Sequence, residues 1–202
     1  MFYEPKKGIP FKIDPFKSLV FPRPIGWISS INKKGIANLA PYSYFNAVAD
    51  EPPQVMFCSN GSSAHGKYKD SLSNILLTKE FVVNFATSAT RNQMNTTSKN
   101  FDPDEDEFFF SKLNKKKSKL VGAPSVKNSP VNLECKLLKT INLKSKSKQF
   151  SMMVIGEVIG IYINNKFIKK DRIDSISMNY IARLGYSEYT KVSNKFNLKR
   201  KK

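Results

Sequence analysis

Small polar residues crowd three places in this 202-residue chain. Ser29 and Ser30 close one apolar run. Asn38-Leu39-Ala40-Pro41-Tyr42-Ser43 follows a polar loop, and Ser59-Asn60-Gly61-Ser62-Ser63 precedes a stretch of helical periodicity. Residues of this kind offer hydroxyls and backbone N–H groups at strand ends, which suit a phosphate and a flat polar ring. A helix start adds a partial positive charge, and Lys69 beside it adds a full one. Taken singly, each cluster also reads as an ordinary turn. Nucleophilic catalysis has little to draw on. His65 is the single histidine, no GxSxG, GxGxxG or P-loop glycine pattern occurs, and neither Ser43 nor Ser71 has a base in its local sequence. Cys58 and Cys135 lack a CxxC partner and read as reduced, buried thiols of a cytosolic protein, with no metal site expected.

The elements that must hold these clusters are short. Residues 18–21 suggest a brief strand ending at Pro22. Residues 25–31 read as a strand, and the polar loop 32–35 leads to a return strand from Ile36, a hairpin in which Gly35 supplies positive φ. Residues 54–59 are β-rich. Tyr68, Leu72, Ile75 and Leu76 recur at i, i+4, i+7 and i+8, one face of a helix, with His65 an exposed residue near its start. Residues 81–85 read as a buried strand and 88–100 as a loose helix. The acidic run 102–107 has Glu107 where a calcium loop needs its sixth-position glycine, so it reads as a solvated turn or helix start. Residues 131–137 alternate, with Val131, Leu133, Cys135 and Leu137 on one face and Asn132, Glu134 and Lys136 on the other. A basic loop spans 144–148. A long β run covers 150–163, with Gly156 and Gly160 as bulge points.

Many short strands, few helices and no strand–helix alternation favour an antiparallel barrel with helical insertions over a βαβ fold. An irregular arm (1–16) precedes one domain (17–190), and a basic, disordered tail (191–202) follows. The most apolar run, 152–163, is too short to span a bilayer, and the N-terminus lacks a signal-peptide core. The expectation is a soluble cytoplasmic protein with no membrane partner.

Charge is distributed unevenly. Residues 1–110 hold 12 basic and 11 acidic side chains, residues 111–202 hold 22 and 5. The net +17 of the second stretch raises a nucleic-acid-binding barrel as one reading. Against it, 29 of the 34 cations are lysines and only five are arginines, and lysine is a hydrated point charge rather than a bidentate reader. A solvated surface accounts for the charge as well.

In order along the chain come Arg23-Pro24-Ile25-Gly26-Trp27-Ile28-Ser29-Ser30, then Gly35-Ile36-Ala37-Asn38-Leu39-Ala40-Pro41-Tyr42-Ser43-Tyr44-Phe45, then Pro52-Pro53-Gln54-Val55-Met56-Phe57. Lys69-Asp70-Ser71-Leu72-Ser73-Asn74-Ile75, Gly122-Ala123-Pro124-Ser125-Val126, Ser129-Pro130-Val131-Asn132-Leu133-Glu134-Cys135, Gly156-Glu157-Val158 and Arg183-Leu184-Gly185-Tyr186 follow. Over residues 17–189 this resembles the flavin reductase-like, FMN-binding split-barrel family. The resemblance implies a mainly β, Greek-key split barrel with a few helical insertions, a homodimer, and FMN near the subunit interface. It implies that Trp27, Ile28, Ser29, Ser30, Asn38, Leu39, Ala40, Pro41, Tyr42 and Ser43 line the flavin. Ser59, Asn60 and Lys69 would hold its phosphate side, and Arg183 would shape the site or the dimer. The implied activity moves hydride or electrons between NAD(P)H, or a redox partner protein, the flavin and an acceptor. A flavin supplies the hydride chemistry itself, so the want of an acid–base histidine is no obstacle. Tyr162 and Asn165 stand where many relatives carry a histidine and an acid. That departure keeps open a flavin carrier or electron-transfer protein without reductase activity.

Overall fold

The computed structural model describes residues 1–63, 66–145 and 150–199. Strand β1 (Arg23–Pro24) precedes β2 (Gly26–Ile31), β3 (Ala37–Tyr42), β4 (Phe45–Asp50) and β5 (Pro53–Asn60). Helix α1 (Asp70–Thr78) leads to β6 (Glu80–Asn84), and two short helices follow, α2 (Arg91–Thr96) and α3 (Glu107–Phe110). A small hairpin, β7 (Lys115–Lys116) and β8 (Ser125–Val126), precedes the two long strands β9 (Val131–Asn142) and β10 (Ser151–Ile163). The chain closes with β11 (Ile168–Lys169), β12 (Arg172–Ile173), β13 (Ile181–Arg183) and β14 (Tyr189–Lys191).

Seven strands form one antiparallel sheet in the order β3-β2-β6-β9-β10-β5-β4. Its two edges, β3 and β4, are consecutive in the chain, joined only by Ser43 and Tyr44. Three Cα steps reach at most about 11 Å, so the sheet must curl until its edges approach. The result is the mainly β split barrel, with its seam at Ser43–Tyr44. There the Cys58 N–H donates to the Tyr44 carbonyl at 2.8 Å.

Local sequence explains the main strands. Asn32 turns the β2–β3 hairpin by accepting N–H bonds from Lys34 at 2.9 Å and Ile36 at 3.0 Å, while Gly35 takes φ +80°. The β9–β10 register shifts at Ile155/Gly156 and at Val158/Gly160, so both glycines sit at irregularities of the ladder. Gly156 also admits the Phe81 ring, which a Cβ there would strike.

Two apolar clusters share the sheet. One fills the barrel with Ile28, Phe57, Phe81 and Val154, and α1 adds Leu72 and Ile75, the residues its periodicity singles out. The other lies outside the barrel wall, where Met94 of α2 and Phe108 of α3 cover Trp27 and Leu39.

Two expectations are corrected, and one strand proves more covered than its alternation shows. Residues 18–21 form no strand. A short 3-10 turn at Phe16–Ser18 brings the carbonyls of Lys17 and Val20 onto the Arg23 guanidinium, which takes acceptors a ladder would use. The polar face of 131–137 meets solvent only at Lys136, since Asn132 is 1% and Glu134 7% exposed. Asn132 donates to Asn84 Oδ1 at 2.8 Å. Glu134 accepts the N–H groups of Lys119 at 2.9 Å and Leu120 at 2.6 Å, so a covering loop satisfies what alternation marks as exposed. Finally, Glu107 begins a helix but is buried. His65 and most of the basic loop 144–148 lie outside the described residues. No helix among the described residues is long and apolar enough to cross a membrane.

The Phe81–Gly156 contact makes a direct prediction. Gly156→Ala is expected to cost about 1–3 kcal/mol, the usual penalty of overpacking, and to lower the urea unfolding midpoint. An unchanged midpoint would show that the ring moves aside freely.

Candidate functional site

The outer edge of β3 has no partner strand, and a cleft of about 300 Å³ opens beside it. Successive residues of a strand point their backbone groups to alternate sides. The Leu39 N–H points away from β2 and donates to Glu107 Oε2 at 3.1 Å. Pro41, two residues on, has no N–H to offer there. Beyond it the edge is left to the cleft, whose wall is Ala40, Pro41, Tyr42, Ser43 and Tyr44. Cys58 and Asn60 of β5 line the neighbouring side, and the segment 97–101 lines the far side with Lys17.

Helix α1 points its start at the same cleft through Lys69, Asp70 and Ser71. Lys69 is the N-cap residue, in extended conformation, and its own side chain does not cap the first turn. The first N–H groups of a helix have no intrahelical acceptor. Here they lie beside the Lys69 ammonium, so the positive end of the helix and a full positive charge face the cleft together. Gly61, at φ +84°, turns the chain after β5, and the Lys69 side chain passes over it.

Below this surface runs a buried polar chain. Asn38 Nδ2 donates to Glu107 Oε1, and Asn38 Oδ1 accepts from Ser71 Oγ at 2.6 Å and from Ser30 Oγ at 3.4 Å. Asn74 of α1 donates to Ser30 Oγ at 3.2 Å. The network ties α3, β2, β3 and the start of α1 together. Burial pushes the Glu107 carboxyl up to about 7, and the Asp70 charge adds to this against three donors, its own N–H, the Leu39 N–H and the Asn38 amide. Glu107 is 4% exposed yet lines the cleft.

Two buried hydroxyls, one lining the cleft and one beside it, are incompletely used. Burial pushes the Tyr42 phenol up to about 12, although the nearby Ser71 and Ser59 hydroxyls act the other way. Neither Tyr42 Oη nor Ser59 Oγ has a hydrogen-bond partner of sound geometry. Buried polar atoms are rarely left so, and a polar ligand in the cleft would satisfy them.

The residues expected from sequence therefore divide. Asn38, Ala40, Pro41, Tyr42, Ser43, Asn60 and Lys69 line the cleft together, and Ser59 is buried beside them. Trp27, Ile28, Ser29, Ser30 and Leu39 stand behind the wall, each fully buried. Trp27 Nε1 donates to Thr97 Oγ1 at 2.9 Å, Ser29 Oγ donates to the Pro124 carbonyl at 2.6 Å, and Ile28 and Leu39 pack in the two cores. The physical reason is that β2 is a central strand with both faces covered, while Leu39 of β3 is covered by Met94 and Phe108 in the outer core. Glu107, Lys17 and the segment 97–101 went unread, because they reach the cleft through tertiary packing. The one local signal is the Glu107-Phe108 pair at the end of the acidic run, where an apolar anchor pulls its neighbour inward. Tyr162 lies away from the cleft, with Lys116 Nζ 2.8 Å from its ring centroid. Among the described residues no cluster of three His, Cys, Asp or Glu side chains is placed to hold a metal.

A second chamber of about 670 Å³ adjoins the first, sharing Pro41, Ser43 and Ser98. Arg91 of α2 and Arg183 of β13 line it. Arg183 is held over the Tyr189 ring at 4.4 Å and donates to Tyr189 Oη and the Tyr186 carbonyl.

Comparison with known proteins places the fold. Residues 17–182 match the model of the flavin reductase like domain. An uncharacterized protein of Aquifex aeolicus is 38% identical over 187 residues, covering 90% of each chain. Nitrilotriacetate monooxygenase component B from Bacillus cereus superposes with a TM-score of 0.88 at 30% identity, covering 98% of both chains. The 2-nitrobenzoate 2-nitroreductase of Pseudomonas fluorescens gives 0.80 at 29% identity, over 92% of this chain and 88% of that one.

Glu107 makes the site's own pH prediction. An acid whose pKa is higher folded than unfolded binds the extra proton in the folded state. Stability should then fall as pH rises from about 4.5 to about 7, by something on the order of 3 kcal/mol, and level off above. Glu107→Gln should lose that slope. Urea melts of both proteins at pH 5, 6, 7 and 8 would check this, and parallel profiles would contradict it.

Proposed function

The chain belongs to the flavin reductase like domain family of flavin-related oxidoreductases, and on that premise we propose that it is an FMN-dependent reductase. In this reading it takes hydride from NAD(P)H and delivers electrons to an acceptor. When bound, a flavin supplies the hydride-accepting ring and the electron transfer. The chain's residues bind and orient. The observation that carries the reading is a cleft with Lys69 and the start of α1 at one end, beside which two buried hydroxyls, Tyr42 Oη and Ser59 Oγ, lack a hydrogen-bond partner.

In that cleft Lys69 and the first N–H groups of α1 would hold the phosphate. Asp70, in the same turn, tempers the positive field without cancelling it, since Lys69 and the helix end act together. Tyr42 and Ser59 would meet polar atoms of the ligand, and the free edge of β3 beyond Pro41 would lie along its flat part. Asn38, fixed by Glu107 and Ser71, keeps the wall in place. Asn38 is thus a positioning residue, and no proton-transfer group is required of it.

The exposed apolar row Phe16, Leu19, Val20 and Phe21 flanks Lys17, which lines the cleft. This favours a homodimer in which the segment meets a second subunit near the site. We place the protein in the cytoplasm, where two unpaired cysteines remain reduced.

Titration of FMN into the protein, followed by quenching of flavin fluorescence, tests the reading. Saturable binding is expected, and the bound flavin should bleach on addition of NADH or NADPH. Lys69→Ala should weaken FMN about tenfold, as loss of one charge-assisted contact would, and leave riboflavin unchanged. Tyr42→Phe should weaken both flavins while leaving the thermal midpoint of the flavin-free protein equal or higher, since it deletes an unpartnered hydroxyl. Absence of binding, or full FMN affinity in Lys69→Ala, would count against the site.

A further inference from the structure

The second chamber carries chemistry that the flavin reading does not use. Its floor is apolar, made by Ile25, Met94 and Ile181, each under 9% exposed, together with the Tyr189 ring. Its charged lining consists of Arg91 and Arg183, with no carboxylate among the lining residues.

The choice of arginine is informative in this chain. Only five arginines stand among 34 cations, so a lysine would be the compositional default. Two of the five face this one chamber. Arginine offers a planar fork of donors that matches a carboxylate, which lysine does not. Arg183 is also preorganised. Its guanidinium stacks on Tyr189 and spends one donor on Tyr189 Oη and one on the Tyr186 carbonyl. Tyr186 adopts φ +47°, an unfavourable conformation for a tyrosine, and its carbonyl is the one that holds Arg183. Arg91 Nη1 donates to the Ser88 carbonyl at 2.9 Å. A guanidinium has five donors, so each side chain keeps several for a ligand, and neither pairs with a carboxylate among the described residues.

We propose that this chamber binds a flat organic anion, its apolar body on Ile25, Met94 and Ile181 and its carboxylate on Arg91 and Arg183. The shared wall of Pro41, Ser43 and Ser98 then sets that anion beside whatever occupies the cleft. Its role as a reaction partner rests on the flavin reading, whereas its binding does not.

Benzoate is the probe and benzamide its neutral isostere. In calorimetric titrations of the full chain, with and without FMN, benzoate should bind saturably and benzamide at least about tenfold more weakly. Arg91→Gln and Arg183→Lys should each weaken benzoate about tenfold. Arg183 is built into the β13–β14 turn, so Arg91→Gln, which gives up one local hydrogen bond, decides the matter if the other variant misfolds. No binding of benzoate, equal affinity for benzamide, or undiminished affinity in Arg91→Gln would overturn the proposal. Benzoate binding through the arginines in a protein that takes up no FMN would uphold the chamber and remove the flavin reading. FMN uptake without benzoate binding would do the reverse.

Discussion

The unpaired outer edge of β3 is the constraint on which the rest of the molecule turns. Seven strands make one sheet whose ends are adjacent in the chain, so the sheet is bent into a barrel that does not finish its ladder at the seam. An open strand edge exposes backbone donors and acceptors, which proteins cover, pair or blunt. Here Glu107 caps the Leu39 N–H, Pro41 removes the next donor on that side, and beyond it the edge faces the cleft until Tyr44, whose carbonyl accepts from Cys58. The cleft is the part of the edge that the protein does not close for itself.

Glu107 costs the fold something, because a carboxylate held away from water prefers its proton. What it supplies is connection. Through Asn38 it reaches Ser71 in the first turn of α1, and through Ser30 it reaches Asn74 in the next. The same helix plugs the barrel with Leu72 and Ile75. The core that holds the barrel shut and the network that shapes the cleft therefore share one element, and the site is as rigid as the packing beneath it. The strongly basic second half of the chain contributes little here. The cleft takes its cations from Lys17, Lys69 and Lys99, all from the nearly neutral first half.

Much of this was legible in residue order. The Asn32–Gly35 turn, the α1 stripe and the two glycines of β10 are local signals, and each appears where periodicity and turn chemistry put it. Asn38, Ala40 to Ser43, Asn60 and Lys69 do converge on one cleft. What escaped was coverage. Alternation at 131–137 reports polarity, and it cannot tell a solvated face from one whose Asn132 and Glu134 meet partners across the sheet. The same limit set Trp27 to Ser30 among residues expected to line the cleft, when a central strand shows both faces to the interior. Glu107 looked solvated because its five predecessors include four acids. Only the docking of Phe108 onto the outer core carries it inside.

Hydrogen exchange of backbone amides, with and without FMN, addresses the central claim most directly. If the open edge of β3 and the start of α1 form the flavin site, FMN should slow exchange in peptides covering residues 38–45 and 67–72, and leave the β7–β8 hairpin unchanged. Protection confined to other segments, or none at saturating FMN, would contradict the account.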